Sequence, residues 1–191
     1  MTEEGTDSTR PPQQAGDSGR RTDDSFATVT PETQAAIDPL AHVVLYQPQI
    51  PQNTGNIGRT CVATGSMLWI VKPTGFQIDE KRVRRAGLDY WQHLRWAEVD
   101  SWTQLRERLP EKRYWYFSRF ATQTIWEADF RPGDVIVFGS ETTGLPRSIL
   151  RPDASDAVRL PTDPRVRSLN LSATVAIALY ELMRRQSDHD R

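Results

Sequence analysis

Four short runs in this chain are apolar at nearly every position: His42-Val43-Val44-Leu45-Tyr46, Met67 to Val71, Tyr114 to Phe117, and Val135 to Phe138. A strand with one solvated face alternates apolar and polar residues. A strand buried on both faces does not, and such strands belong to parallel sheets covered on each side. The spacing predicts helices between them: Thr54 to Ala63, a charged helix over Asp79 to Arg85, and one capped by Ser101 that runs to about Arg108 with Trp102 and Leu105 on one face. Leu94 to Val99 reads as an edge strand, Val158 to Leu160 as a further short strand, and Leu171 to about Arg185 as a long helix. Strands alternating with helices give an α/β class, with a mostly parallel sheet and helices on both faces. Ligands in such sheets bind beyond the carboxyl ends of the strands. The loops after Tyr46, Phe117, Phe138 and Leu160 are therefore where a site is expected.

Residues 1–40 carry Ser, Thr, Gln, Gly, Asp and Pro and almost no large apolar residue before Phe26. Such a segment cannot bury enough surface to offset its conformational entropy, so a disordered acidic tail is expected, followed by one folded domain over 41–191. A regulatory or partner-binding arm is the functional alternative for the tail. The chain's net charge is −1, but residues 1–41 hold eight acids against three bases, which leaves the remainder mildly basic. That balance permits an RNA partner without demanding one. No run of about twenty apolar residues is present to cross a membrane, and the N-terminus lacks the pattern of a secretory signal. With the single cysteine, Cys61, no internal disulfide can form, which fits a reducing cytoplasm. Cys61 lies in an apolar helical pattern and reads as a small buried hydrophobe, with a nucleophile as the other possibility.

In the last helix, Leu171, Val175, Leu179 and Leu182 form one stripe, and Ala173, Ala176, Ile177, Tyr180 and Met183 cover much of the rest. A helix apolar nearly all round needs cover on two sides. The second cover is either a partner subunit or deep burial within one chain.

Three loops have the composition for chemistry. Pro51-Gln52-Asn53-Thr54-Gly55-Asn56-Ile57-Gly58-Arg59-Thr60 follows a strand and opens a helix, which either offers bare N–H groups and the Arg59 fork to an anion or is a capped helix with a surface arginine; the Gly-Lys-Ser/Thr ending of a P-loop is missing. Phe138-Gly139-Ser140-Glu141-Thr142-Thr143-Gly144-Leu145-Pro146 runs a buried strand into glycines that let a ligand approach the backbone, or makes a tight turn before a helix at Pro146 to Leu150. Ser168-Leu169-Asn170-Leu171-Ser172 places three small polar residues before the apolar helix; capping needs only one of them. The basic run Lys81-Arg82-Val83-Arg84-Arg85, with Tyr90 and Trp91 beside it, suits phosphates and bases, or is a solvated face. His42, His93 and His189 are scattered without ligand spacing, so no metal is expected, and no Ser-His-Asp grouping stands out.

Together these loops resemble the three motifs of the SpoU-type branch of the SPOUT methyltransferases, over residues 42 to 186. The run Asp79 to Tyr90 is similar to the TrmL-like subgroup, which methylates the 2′-oxygen of the wobble nucleotide of tRNA (cytidine or modified uridine at position 34). The resemblance implies a deep C-terminal trefoil knot, a homodimer with the site at its interface, S-adenosylmethionine as methyl donor with S-adenosylhomocysteine as product, and the tRNA anticodon loop, not DNA, as substrate. By motif position it implies cofactor contacts at Phe117, Gly139, Leu160 and Ser168. It implies a catalytic arginine at Arg59, with Asn56, Glu141 and Asn170 as the other polar members. Arginine is a poor base, since its pKa lies above about 12. Arg59 is better read as orienting the 2′-oxygen or a phosphate and stabilising developing charge. Thr143 stands where related sequences often carry arginine, and Ala173 where a polar residue is common. A related enzyme acting on another tRNA or ribosomal RNA site is one alternative, and an RNA-binding protein without catalysis another.

Overall fold

The computed structural model describes residues 38–77, 89–150 and 154–189. The expected tail up to residue 37 and the expected charged helix over Asp79 to Arg85 lie outside the described residues. Among these residues seven strands are seen: β1 (Ala41–Tyr46), β2 (Met67–Val71), β3 (Trp96–Val99), β4 (Tyr114–Phe117), β5 (Gln123–Thr124), β6 (Asp134–Phe138) and β7 (Ala157–Arg159). Among the described residues three α-helices accompany them: α1 (Pro51–Thr64), α2 (Trp102–Arg108) and α3 (Leu171–His189), with a 3₁₀ turn over Asp89–His93. The strands form one sheet in the order β3-β2-β1-β6-β4-β7-β5, and every strand pair in it is parallel. The α/β reading and the parallel sheet are thus found.

The absence of alternation in β1 and β6 now has its cause. Val43 and Leu45 face one layer with Ile136, Phe138, Ile57, Cys61, Val175, Leu179 and Leu182, the last five from α1 and α3. Val44, between them, faces the other layer with Val135, Val137 and Leu105 of α2. Successive residues point to opposite faces, so both must be apolar. Burying each such side chain contributes about 1.5–3 kcal/mol.

Helix ends differ from one another in instructive ways. Ser101 accepts from the Gln104 backbone N–H at 3.1 Å, the cap expected of it, and Gln104 Oε1 accepts from Asp100 N–H at 2.7 Å. α1 starts three residues earlier than its pattern suggests, with Pro51 in its first turn and no side-chain cap of its own. It ends at Gly65, left-handed at φ 66°. Pro146 to Leu150 forms a turn, not the short helix expected, with Ile149 and Leu150 N–H both donating to the Pro146 carbonyl. β3 begins at Trp96 rather than Leu94, and β5 carries no apolar run to announce it.

β1 connects through α1 toward β2 on one side, whereas its neighbour β6 connects past β4 to β7 on the other. Adjacent strands whose connections leave in opposite directions open a crevice at their carboxyl ends.

Candidate functional site

A cavity of ≈ 480 Å³ lies at that crevice, a size ordinary for a small-molecule site. The four loops predicted to meet there do so: Ile50 follows β1, Ser118 to Phe120 follow β4, Gly139 to Leu145 follow β6, and Leu160 follows β7. The start of α3 closes the ring with Ser168 to Leu171. Phe117, Phe138, Leu145 and Leu160 give apolar wall, and Ser118, Ser140, Thr162 and Ser168 give hydroxyls.

The loop after β6 is folded hard on itself. Gly144 N–H donates to the Ser140 carbonyl at 2.9 Å, and Ser140 Oγ lies 2.8 Å from Thr143 Oγ1. A Cβ on Gly139 would stand 2.1 Å from the Gly144 carbonyl carbon, so only glycine fits. Gly144 has φ +71° with nothing near its would-be Cβ, so its requirement is conformational.

Glu141 leaves this loop and reaches α1. Its Oε2 accepts from Gln49 N–H at 2.9 Å, and its Oε1 accepts from Ile50 N–H at 3.3 Å and Asn53 Nδ2 at 2.9 Å. The missing cap of α1 is therefore supplied by a carboxylate 88 residues downstream of Asn53, at the end of the helix where negative charge is favoured. Asn53 is 5 % exposed and passes the connection on, its Oδ1 accepting from Asn170 Nδ2 at 2.9 Å. Asn170 Oδ1 accepts from Ser172 N–H at 2.8 Å and Ser172 Oγ at 2.7 Å, which makes Asn170 the cap of α3. The chemistry fixes both amides. Helix N–H groups demand the Asn170 oxygen, the carboxylate demands the Asn53 nitrogen, and the two remaining ends are a donor and an acceptor.

All four residues expected on the cofactor side, Phe117, Gly139, Leu160 and Ser168, line the cavity, as do Glu141 and Asn170. Asn56 and Arg59 do not; both are exposed on α1. Arg59 lies over the Tyr90 ring at 4.8 Å, and Tyr90 Oη donates to the Gly55 carbonyl at 2.8 Å. Beside them Trp91 and Leu94 press on Gly58, within 3.0–3.1 Å of its would-be Cβ. The 3₁₀ turn thus clamps α1 and shelves the Arg59 guanidinium. Asn53 was missed as a site residue, because its motif neighbours drew the assignment; Arg119, Phe120, Arg159 and Arg167, also on the cavity, belong to no motif quoted above.

Cys61 is fully buried, and burial pushes its thiol pKa up to about 12, so it packs as a small hydrophobe. Among the described residues no group of His, Cys, Asp and Glu could hold a metal ion, and no helix is long and apolar enough to cross a membrane. On α3, Val175, Ala178, Leu179 and Leu182 face the core while Tyr180 is exposed. Glu181 is buried and paired with Arg184 and Arg185 at 2.9 and 2.8 Å, hydrogen bonds that hold its carboxyl below the usual range. Residues 161–170 are exposed throughout.

The chain is 43% identical over 150 residues to a tRNA (cytidine(34)-2'-O)-methyltransferase of Saccharophagus degradans, covering 75% of this chain and 94% of that protein. It is 41% identical over 149 residues to the enzyme of the same name from an Acidovorax species, covering 76% and 92%. A solved structure concerned with 2-OH methylation of C/U34 on tRNA superposes at a TM-score of 0.73 with 39% identity, over 80% of this chain and 99% of that one. The pattern of the SpoU rRNA Methylase family spans residues 41–180. With the motif loops meeting at one cavity and relatives at this identity over most of its length, the chain belongs to the SpoU rRNA Methylase family.

Proposed function

We propose that this chain transfers a methyl group from S-adenosylmethionine to the ribose 2′-hydroxyl of the wobble nucleotide of tRNA, a cytidine or modified uridine at position 34. The observation that carries the reading is the Glu141–Asn53–Asn170 connection at the edge of a cavity beyond β4, β6 and β7, in a chain about 41–43% identical to enzymes named for that reaction.

The cavity suits the donor chemically. Its apolar wall fits an adenine, its hydroxyls and bare loop backbone fit ribose and amino-acid ends, and Gly139 lets the loop close tightly. Phe117, Gly139, Leu160 and Ser168 would hold it. When bound, it supplies a sulfonium methyl and leaves as S-adenosylhomocysteine. Both Glu141 oxygens are engaged with donors from the α1 start, so Glu141 serves as a brace rather than a proton acceptor. Through Asn53 it fixes Asn170 and the first turn of α3. Reactants held in attack geometry lose much of the entropic barrier. Asn56 and Arg59 sit on the RNA side, outside the donor cavity, where the guanidinium orients the 2′-oxygen or its phosphate and stabilises charge as the proton leaves to solvent.

The wobble nucleotide lies in the single-stranded anticodon loop, so its ribose is accessible without opening a duplex. The exposed run 161–170 and the exposed Tyr180 are the surfaces a second copy would cover, giving a homodimer with the site at the interface. The C-terminal end of the fold would form the trefoil knot that the resemblance implies. Substrate and unpaired cysteine together fit the cytoplasm.

The test is transfer of labelled methyl to bulk tRNA, followed by mapping of the modified nucleotide. Methyl at position 34 is expected. Methyl at another tRNA or ribosomal site would move the substrate, and absence of S-adenosylmethionine binding by calorimetry would favour a non-catalytic RNA-binding protein.

A further inference from the structure

The turn that follows β4 is built to hold an aromatic ring outward. Ser118 is its pivot: its carbonyl accepts from Ala121 N–H at 3.1 Å and its hydroxyl accepts from Phe120 N–H at 3.2 Å. Ala121 is buried at 4 % exposure and anchors the turn, whereas Phe120 beside it is 65 % exposed. The Arg119 guanidinium lies 4.3 Å from the Phe120 ring centroid, so a cation covers one ring face while much of the ring remains open. Both residues border the cavity together with Arg159, and among the described residues the one carboxylate there is Glu141, whose oxygens are already engaged.

An exposed phenylalanine alone would mean little. Here two exposed large apolar residues, Ile50 and Phe120, flank one cavity whose charged border is mainly arginine. Apolar surface rimmed by cations is the composition of a single-stranded nucleic-acid platform. The cavity wall has its own aromatic residues in Phe117 and Phe138, 8 % and 1 % exposed. Phe117 leaves the donor an aromatic edge to contact without Phe120, which is far more exposed.

We propose that Phe120, backed by Arg119, stacks on an unpaired nucleobase of the RNA substrate and positions the strand whose ribose is methylated. This rests on the proposed function and adds a positioning residue to it. Stacking needs only a π-face, so Phe120 sets strand placement rather than base identity.

The experiment compares the wild-type chain, Phe120→Ala and Phe120→Trp on an anticodon stem-loop RNA carrying 2-aminopurine beside nucleotide 34. Phe120→Ala is expected to raise the KM for RNA by roughly tenfold, with kcat and the S-adenosylmethionine affinity by calorimetry unchanged. Phe120→Trp is expected to restore the KM. The 2-aminopurine fluorescence, read with S-adenosylhomocysteine present, should be quenched by wild type and by Phe120→Trp but not by Phe120→Ala. Equal KM and equal quenching for wild type and Phe120→Ala would overturn the proposal. So would a loss of S-adenosylmethionine affinity with unchanged RNA KM, which would assign the ring to the donor. If wild type methylates no RNA, the proposed function fails, and the fluorescence arm still decides the stacking.

Discussion

Asn170 Nδ2 donates to Asn53 Oδ1 over 2.9 Å, joining the first turn of α1 to the cap of α3 across 117 positions of sequence. Asn53 also donates to Glu141, so removing its amide takes one of three donors from a half-buried carboxylate and takes from Asn170 its acceptor. Asn53→Ala is expected to destabilise the fold by about 1–3 kcal/mol in urea denaturation and to lower methyl transfer further than stability alone predicts. Asn53→Asp should be worse, since it sets a carboxylate against Glu141. An Asn53→Ala protein with wild-type turnover would remove this connection from the working site.

The two glycines of the β6 loop should respond differently. Gly139→Ala forces its Cβ into the Gly144 backbone, which can yield only by moving the cavity wall. We expect S-adenosylmethionine affinity to fall by roughly tenfold or more by calorimetry, as overpacking costs of about 1–3 kcal/mol imply. Gly144→Ala meets no atom and suffers only the left-handed conformation, about 1–2 kcal/mol of stability. Equal effects of the two changes on affinity would refute the distinction.

Arg59 lies outside the cavity wall and on the Tyr90 ring. Arg59→Ala should lower kcat by roughly a hundredfold, the scale of losing one stabiliser of transition-state charge, while calorimetry finds donor affinity intact. Parallel loss of both would place Arg59 on the donor side instead.

His42 is buried in β1, where its Nδ1 accepts from Trp69 Nε1 at 3.1 Å. Burial first, then the nearby charges of Lys112 and Arg95, lower its pKa from 6.5 to about 4. Below pH 6.5 the unfolded chain takes up a proton that the folded chain refuses. Stability from this group is therefore complete above pH 6.5 and declines as pH falls toward 4, by up to about 3 kcal/mol. Denaturation midpoints measured across that window should fall in the wild-type protein and flatten in His42→Gln. A wild-type profile level from pH 6.5 to 4 would contradict the buried neutral state.

Strand positions were legible because burial on both faces leaves an unmistakable run, as in Val135 to Phe138. Parallel pairing followed from it, and so did the ends of the strands at which the loops meet. The division of labour within α1 was not legible. A motif lists Asn53, Asn56 and Arg59 in a row, but which of them faces the cavity depends on where the helix begins. Its start at Pro51 is set by Glu141, far away in sequence. The Arg119–Phe120 turn escaped for a different reason. A solvent-facing aromatic has no periodicity to betray it, and only its place beside the cavity gives it meaning.

The central pairing of the sheet joins β1 to β6, Ala41 opposite Asp134, and α1 receives its cap from Glu141 and its side-chain partner from Asn170. During synthesis the early half of the chain must therefore wait, its central strand edge bare, until the late half emerges. Folds that depend on such distant contacts assemble slowly. The cavity is completed last, by the segments made last, so a chain interrupted just before Asn170 would carry all seven strands and no means of closing the site.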